Sequence, residues 1–251
     1  MFEERFIAFV DILGFKNIVK KASQDEQYQK KVSAILYHIA KLKTDNYEGE
    51  DAKYGKYSDV AVFSDSIVIS YPCELNDDST LVYLLVDLVY LSLTLARNDI
   101  FIRGGVTVGK VIHDKNISWG PAFVSAYEIE EENAIYPRII IDKSVIDRNK
   151  EIEEKIGGFN EDDELSDLVE QDADGLFYLD YLAQWEEFDA EDDYFDCLKD
   201  ISSNVIRNIN DAPNAKIKMK YIWYANYYNR AVKKLKQCYQ TGLLIDMTQF
   251  K

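Results

Sequence analysis

A chain of 251 residues, 47% of them hydrophobic and with a formal net charge of −16 at pH 7, can bury one large core or form one domain with an appendage. Three scattered cysteines argue against a disulfide framework or a zinc site, and two histidines leave little material for histidine-based catalysis. No signal peptide or membrane-spanning segment is predicted, so we expect a cytoplasmic protein that binds no membrane.

The first predicted strand covers residues 5–10 and leads into the segment from Phe9 to Phe15, FVDILGF. Here Asp11 ends an apolar run, and a glycine turn follows at once. A carboxylate at a strand end, beside exposed backbone N–H groups, can hold a metal ion and a phosphate together. The alternative is that the motif is only the common punctuation between a strand and a helix.

A helix is predicted over residues 28–42, where apolar side chains recur at helical spacing. Two β-branched runs then flank the segment from Ser64 to Ser66 and predict a hairpin with Asp65 at its tip. The alternative is that this aspartate only caps the turn. Two neighbouring carboxylates repel each other unless a divalent cation lies between them, and oxygen ligands favour Mg²⁺ or Mn²⁺.

Ser79 and Thr80 predict the N-cap of a helix that continues through Ala96. Three further elements are predicted in chain order: a strand over residues 100–111, a helix over 122–132 and a short buried strand over 138–141. This order predicts an α+β fold with a ferredoxin-like βαββαβ core in residues 1–160. In that topology the first strand and the hairpin are neighbours, so their two aspartates meet at one edge of the sheet.

We expect residues 161–251 to form a mainly helical extension that packs on the core. Between Glu161 and Asp196 there are sixteen acidic residues and no Lys or Arg, yet many large apolar side chains argue against a disordered tail. Residues 216–236 predict a helix in which basic and aromatic side chains are interleaved. Such a helix can bind nucleic acid, but an intramolecular match to the acidic stretch is the simpler explanation, so no nucleic-acid partner is expected.

Several segments resemble motifs of the class III nucleotidyl cyclases. The first metal-binding motif, the second one and the glycine-patterned strand of that family are matched by FVDILGF, by SDSIVIS (residues 64–70) and by IRGGVTVG (residues 102–109). Residues 120–138 carry the family's glycine and the helix with alanine-rich spacing. More narrowly, AYEIE (residues 126–130) together with PRI (residues 137–139) resembles the pyrimidine cyclases of Pycsar antiphage systems. The resemblance covers residues 5–145.

The chain departs from adenylate and guanylate cyclases at positions that bear on the substrate. The helix of those enzymes carries an Asn and an Arg, whereas Val124 and Glu128 lie near the corresponding places here. Ala61 stands where adenine-reading enzymes commonly have a lysine. These departures argue against a plain adenylate cyclase. They leave open a pyrimidine cyclase, a purine cyclase or other palm-type nucleotidyl transferase, and a catalytically silent nucleotide-sensing dimerisation module.

The cyclase resemblance implies two divalent metal ions, Mg²⁺ or Mn²⁺, held by the catalytic residues Asp11 and Asp65 and by the Ile12 carbonyl. No protein nucleophile is then required. The phosphate ligands that it implies are the backbone N–H groups of Leu13, Gly14 and Phe15. The Arg138 side chain is a further phosphate candidate, with a surface ion pair as the alternative.

For the base, the candidates are Tyr57 and Arg103, because each lies on a strand that leads toward the site. The alternatives are a surface strand residue for the tyrosine and an ion-pair partner for the arginine. The resemblance further implies a head-to-tail homodimer with sites at the interface, UTP or CTP as the substrate, and a separate effector protein that reads the cyclic product.

Overall fold

The computed structural model describes residues 1–40, 58–74, 79–114, 117–156, 164–184, 191–235 and 242–250. Within these ranges one mixed eight-stranded sheet is flanked by helices, which confirms the predicted α+β class. The strands are β1 (Glu3–Ile12), β2 (Asp59–Phe63), β3 (Ser66–Pro72), β4 (Ile102–His113), β5 (Ser118–Trp119), β6 (Ile139–Ile141), β7 (Val169–Gln171) and β8 (Phe177–Leu179).

Helices precede, connect and follow these strands. The α-helices are α1 (Phe15–Ala22), α2 (Glu26–Ala40), α3 (Ser79–Arg97), α4 (Pro121–Asn133), α5 (Lys143–Ile156), α6 (Glu164–Leu168), α7 (Glu191–Asn210) and α8 (Ala215–Lys234). Short 3₁₀ helices lie at Tyr181–Ala183 and Met247–Phe250. The predicted helices at 28–42, at 79–96 and at 122–132 therefore correspond to α2, α3 and α4. Residues 41 and 42 of the first prediction lie outside the described residues.

The first strand lies inside the sheet, whose order is β2-β3-β1-β4-β6-β8-β7 with β5 beside β4. β1 pairs antiparallel with both β3 and β4, so the first strand and the hairpin are neighbours, as predicted. β4 then pairs parallel with β6. Most of β1 is buried on both faces, which explains why its sequence is a nearly continuous apolar run.

Alternate side chains of β1 enter two separate layers of the core. Phe6, Ala8 and Val10 belong to the large cluster that also contains side chains of α3, α7 and α8. Ile7 and Phe9 belong to a smaller cluster on the opposite side, where α4 packs on β1 and β4. Helices α3, α7 and α8 therefore cover one face of the sheet, and α4 covers the other.

The approach of α4 to the sheet depends on a glycine of β4. A Cβ atom at Gly105 would lie 2.6 Å from the carbonyl oxygen of Ala126 and 2.7 Å from the Cβ of Ile129. These distances are too short for any side chain, so only glycine lets the helix backbone come this close. The second half of α4 is thereby held directly over the first residues of β4.

The most apolar helix, α3, is the central helix of the core. Its length, and the mean hydropathy of 1.8 of its most apolar 18-residue segment, would allow it to cross a membrane. However, 67% of that segment is buried inside the fold. Burial in the core accounts for this composition. Asp99, which has φ of +66°, follows the helix and reverses the chain into β4.

The acidic stretch and the basic helix contact each other. Lys234 of α8 binds the carboxylates of Glu170 and Asp180, the latter at 2.5 Å. Arg230 Nη2 lies 3.9 Å from Oδ1 of Asp172. The predicted intramolecular match is confirmed for these residues.

The extension also contributes strands, which were not predicted. β8 pairs antiparallel with β6, where Tyr178 lies opposite Ile140, and β7 forms the outer edge of the sheet. Tyr178 is fully buried, because its ring packs against Trp223 and Tyr227 of α8. Residues 169–179 therefore continue the sheet of the N-terminal part.

Candidate active site at the ends of β1 and β3

Strand register brings Asp11 and Asp65 together. Asp11 is the Cα partner of Ser66, and the Ile12 N–H donates a hydrogen bond to the Asp65 carbonyl oxygen at 2.9 Å. Asp65 belongs to the two-residue turn between β2 and β3, in which Ser64 has φ of +60°. The predicted hairpin with an acid at its tip is confirmed, and it places that acid beside Asp11.

The electrostatics of this pair favour a cation. Burial raises the pKa of Asp11 above its ordinary value, while Arg103 lowers it and Asp65 raises it further. In the part of the chain that the structure describes, no group of three His, Cys, Asp or Glu side chains could hold a metal ion. Two carboxylates, completed by carbonyl, water and phosphate oxygens, are a donor set that suits Mg²⁺.

Arg103 is the cation that faces this pair from β4, where it is the Cα partner of Asp11. Its Nε lies 3.4 Å from Oδ2 of Asp11 and 2.7 Å from Oε1 of Glu130. Its Nη1 donates to the carbonyl oxygens of Glu130 and Ala134, at the end of α4, at 3.5 and 3.4 Å. The arginine is therefore in the site, as an ion-pair partner. Tyr57, the other base-binding candidate, lies outside the described residues.

Glu130 is a site residue to which we assigned no role from the sequence. It is 3% exposed, and burial raises its pKa from 4.5 to about 7, although Arg103 acts to lower it. Its Oε1 contacts Arg103 but has no aligned hydrogen-bond partner among the described residues. The sequence signal that could have indicated a buried Glu130 is its spacing. It follows Ala122 and Ala126 at intervals of four, and these three are the buried residues of α4.

Lys220 reaches the same cluster from α8. It is half-buried and interacts electrostatically with Arg103, Asp11 and Glu130. Burial and the neighbouring cations lower the pKa of Lys220, and the two carboxylates partly oppose this. Nothing in its local sequence distinguishes Lys220 from the other lysines of the helix, because only the packing of α8 on the sheet brings it to the site.

The glycine turn after β1 fits part of the predicted phosphate cradle. Gly14 has φ of +72°, a conformation that favours glycine, and it precedes α1, whose first N–H groups have no intrahelical partner. The prediction for Leu13 is wrong, because its N–H donates to the Phe101 carbonyl oxygen at 2.8 Å and extends the pairing of β1 with β4. Gly14 and Phe15 remain the predicted donors.

Arg138 does not join the site, so its predicted phosphate contact is wrong. Its side chain is 1% exposed, donates to Asp172 at 2.5 Å and pairs with Asp174. The guanidinium also lies over the ring of Trp223, 5.4 Å from its centroid. Two carboxylates neutralise and enclose this cation, so the ion-pair alternative is confirmed, in a buried rather than a surface position.

No protein family model matches this chain, and no curated protein is similar to it at a significant level. The site is therefore characterised by its own chemistry. It combines a pair of carboxylates, a guanidinium, a buried carboxyl with a raised pKa, an ammonium group and the start of a helix. Such a set can bind a divalent cation and a polyanion side by side.

Proposed function

We propose that this protein is a pyrimidine nucleotide cyclase that converts UTP or CTP to 3′,5′-cyclic UMP or cyclic CMP and pyrophosphate. The observation that carries the proposal is the juxtaposition of Asp11 and Asp65 beside the glycine turn that precedes α1. The strand order β2-β3-β1-β4, with α3 between β3 and β4, is the order of a ferredoxin-like βαββαβ unit and supports it. By resemblance, the protein would be a class III cyclase of the Pycsar type, acting in cytoplasmic antiphage signalling.

In this proposal Asp11, Asp65 and the Ile12 carbonyl bind the metal, and Gly14 and Phe15 donate N–H groups to the phosphates at the positive end of α1. Two bound Mg²⁺ or Mn²⁺ ions would supply a lowered pKa for the ribose 3′-hydroxyl and charge neutralisation for the triphosphate. The 3′-hydroxyl gives its proton to solvent, its oxygen attacks the α-phosphorus, the bond from that phosphorus to the oxygen bridging to the β-phosphate breaks, and pyrophosphate leaves.

Arg103 would donate hydrogen bonds to the pyrimidine, together with Tyr57. The contact between Arg103 and Asp11 is the longer of its two ion pairs, at 3.4 Å against 2.7 Å for Glu130. A cation on Asp11 therefore leaves the guanidinium held by Glu130 and the carbonyl groups at the end of α4. This arrangement keeps the guanidinium of Arg103 beside the site while the aspartate binds metal.

A head-to-tail homodimer would complete the two sites, and exposed apolar side chains on the α4 side of the sheet support it. Phe63, Val124 and Tyr127 are 46%, 51% and 41% exposed. Phe63 is the Cα partner of Ser66, which is itself the partner of Asp11, so this ring lies on the same side of the sheet as the aspartate. A separate effector protein would read the cyclic product.

Incubation with each of the four nucleoside triphosphates and Mn²⁺, followed by mass analysis of the products, tests the proposal. We expect cyclic UMP or cyclic CMP, and an Asp65→Ala variant at least about a hundredfold slower, since removing a metal ligand costs several kcal/mol. Asp147→Ala, which removes an exposed helix ion pair, is the matched control. The absence of any cyclic pyrimidine rejects the proposal, and a cyclic purine or a dinucleotide selects a purine cyclase or another nucleotidyl transferase.

The second candidate is a nucleotide-binding module without catalysis, and α4 provides the observation that favours it. Glu128 is exposed. By resemblance, it lies near the place where adenylate and guanylate cyclases carry their transition-state arginine. A silent module would bind UTP or CTP in the presence of Mn²⁺, as measured by calorimetry, yet give no product in the four-nucleotide assay.

A further inference from the structure

Aromatic packing fixes the C-terminal helix α8 to the strand ends that carry the site. The ring of Phe101 lies edge-on to Tyr221 and Tyr224, with centroid distances of 5.3 and 4.9 Å. The carbonyl of the same Phe101 accepts the N–H of Leu13, immediately before the glycine turn. Lys220 precedes the first of these tyrosines, so its backbone is held close to the ends of β1 and β4.

A second contact holds α8 on its other side. The ring of Trp223 stacks on Tyr136 at 5.2 Å with an interplanar angle of 7°, and its Nε1 donates to Asp172 at 2.9 Å. Tyr224 is fully buried. Packed aromatic residues thus hold the backbone of α8 at Lys220.

Lys220 differs from the lysine at the other end of the same helix. Lys234 is bound by two carboxylates, Glu170 and Asp180. Among the described residues, no carboxylate lies within ion-pair distance of Lys220, although the helix is half-buried there. A cation that is partly removed from water, with no carboxylate of the described residues in direct contact, favours the binding of an anion.

Of the residues predicted from the sequence to bind the phosphates, only Arg138 has a cationic side chain, and the structure shows that side chain bound elsewhere. Arg138 is neutralised by Asp172 and Asp174, and α4 carries Glu128 near the place of an arginine. We propose that Lys220 binds the triphosphate of the substrate and the departing pyrophosphate, which would make the C-terminal extension part of the active site. This inference rests on the function proposed above. Lys216, one helical turn earlier on the same face and exposed, extends the cationic surface toward solvent.

Binding of inorganic pyrophosphate to the full-length protein at a fixed excess of Mn²⁺, measured by calorimetry, tests this role without turnover. We expect Lys220→Met to weaken binding about tenfold or more, since it removes a hydrogen bond between two charged groups. Lys220→Arg should retain much of the affinity. Lys218→Met, two residues away on a different face of the helix, is the matched control and should bind as the wild type does.

The outcomes separate the two proposals. Pyrophosphate affinity and KM for UTP that are unchanged in Lys220→Met overturn the role of Lys220, even if the wild type makes cyclic nucleotide. Binding that depends on Lys220, in a protein that makes no cyclic nucleotide, supports the anion site and rejects the cyclase. Should the methionine variant fail to fold, as judged by circular dichroism, Lys220→Gln replaces it, and the same two criteria apply.

Discussion

Glu130 is a site residue whose charge the fold controls. Burial raises its pKa from 4.5 to about 7, so the native state holds this proton more tightly than the unfolded chain does. The stability of the wild type therefore falls as pH rises between those values, by about 3 kcal/mol at most. We expect Glu130→Gln, which cannot ionise, to match the wild type near pH 5 and to be more stable at pH 8, measured by urea unfolding.

Glu128→Gln is the control for this experiment, because Glu128 is exposed on the same helix. It should change stability little at either pH. The groups that act on the charge of Glu130 are Arg103, Asp11, Glu131 and Lys220. A stability difference between Glu130→Gln and the wild type that is the same at both pH values would contradict a titrating carboxyl at this position.

Arg138 contributes to stability, not to the site. Replacing it with methionine leaves Asp172, which is 10% exposed, without its main cation. We expect Arg138→Met to lower the free energy of unfolding by about 3–5 kcal/mol, the range for breaking a buried pair. Arg148→Met, which removes partly exposed ion pairs with Glu4 and Glu151, should cost no more than about 1–2 kcal/mol. Equal losses in the two variants, measured by chemical denaturation, would be inconsistent with this role.

Gly105 sets the geometry of a whole element, because it lets α4 approach the sheet. We expect Gly105→Ala to displace the helix, since the added methyl group would lie 2.6 Å from the Ala126 carbonyl oxygen. The cost should be about 1–3 kcal/mol, as for other overpacked sites. Moving the end of α4 also moves Glu130 and the carbonyl groups that hold Arg103, so affinity for Mn²⁺ should change as well. Thermal unfolding and metal titration together test this, and an unaltered melting temperature would contradict the close approach.

Elements with a strong local pattern were predictable from the sequence. β1 has a continuous apolar run, α3 is a long apolar segment, and the hairpin around Asp65 has two β-branched runs. β7 and β8 were not, since each has three residues inside an acidic stretch. They form because Tyr178 pairs across from Ile140 and packs under α8, which is a tertiary effect with no local signal.

The same distinction applies to the site. Asp11 and Asp65 could be found because an acid that ends an apolar strand is visible locally. Lys220 could not, because it comes from an element that is distant in sequence. The prediction for Leu13 failed, because the pairing of β1 with β4 continues past Asp11 and uses the N–H of Leu13.

At the scale of the whole molecule, the described parts of residues 1–160 and of residues 161–251 share one sheet and the large apolar cluster. The large cluster joins Phe6 of β1 to Val232 of α8, and α7 packs on α3. We therefore expect the full chain to unfold in a single cooperative transition, with heat or urea. A fragment of residues 1–160 should not fold, because it exposes the face of α3 that α7 covers and the edge of β6 that pairs with β8. Two resolved transitions, or a fragment with the circular dichroism of a folded protein, would instead show that residues 1–160 fold independently, and Lys220 would then lie outside that folding unit.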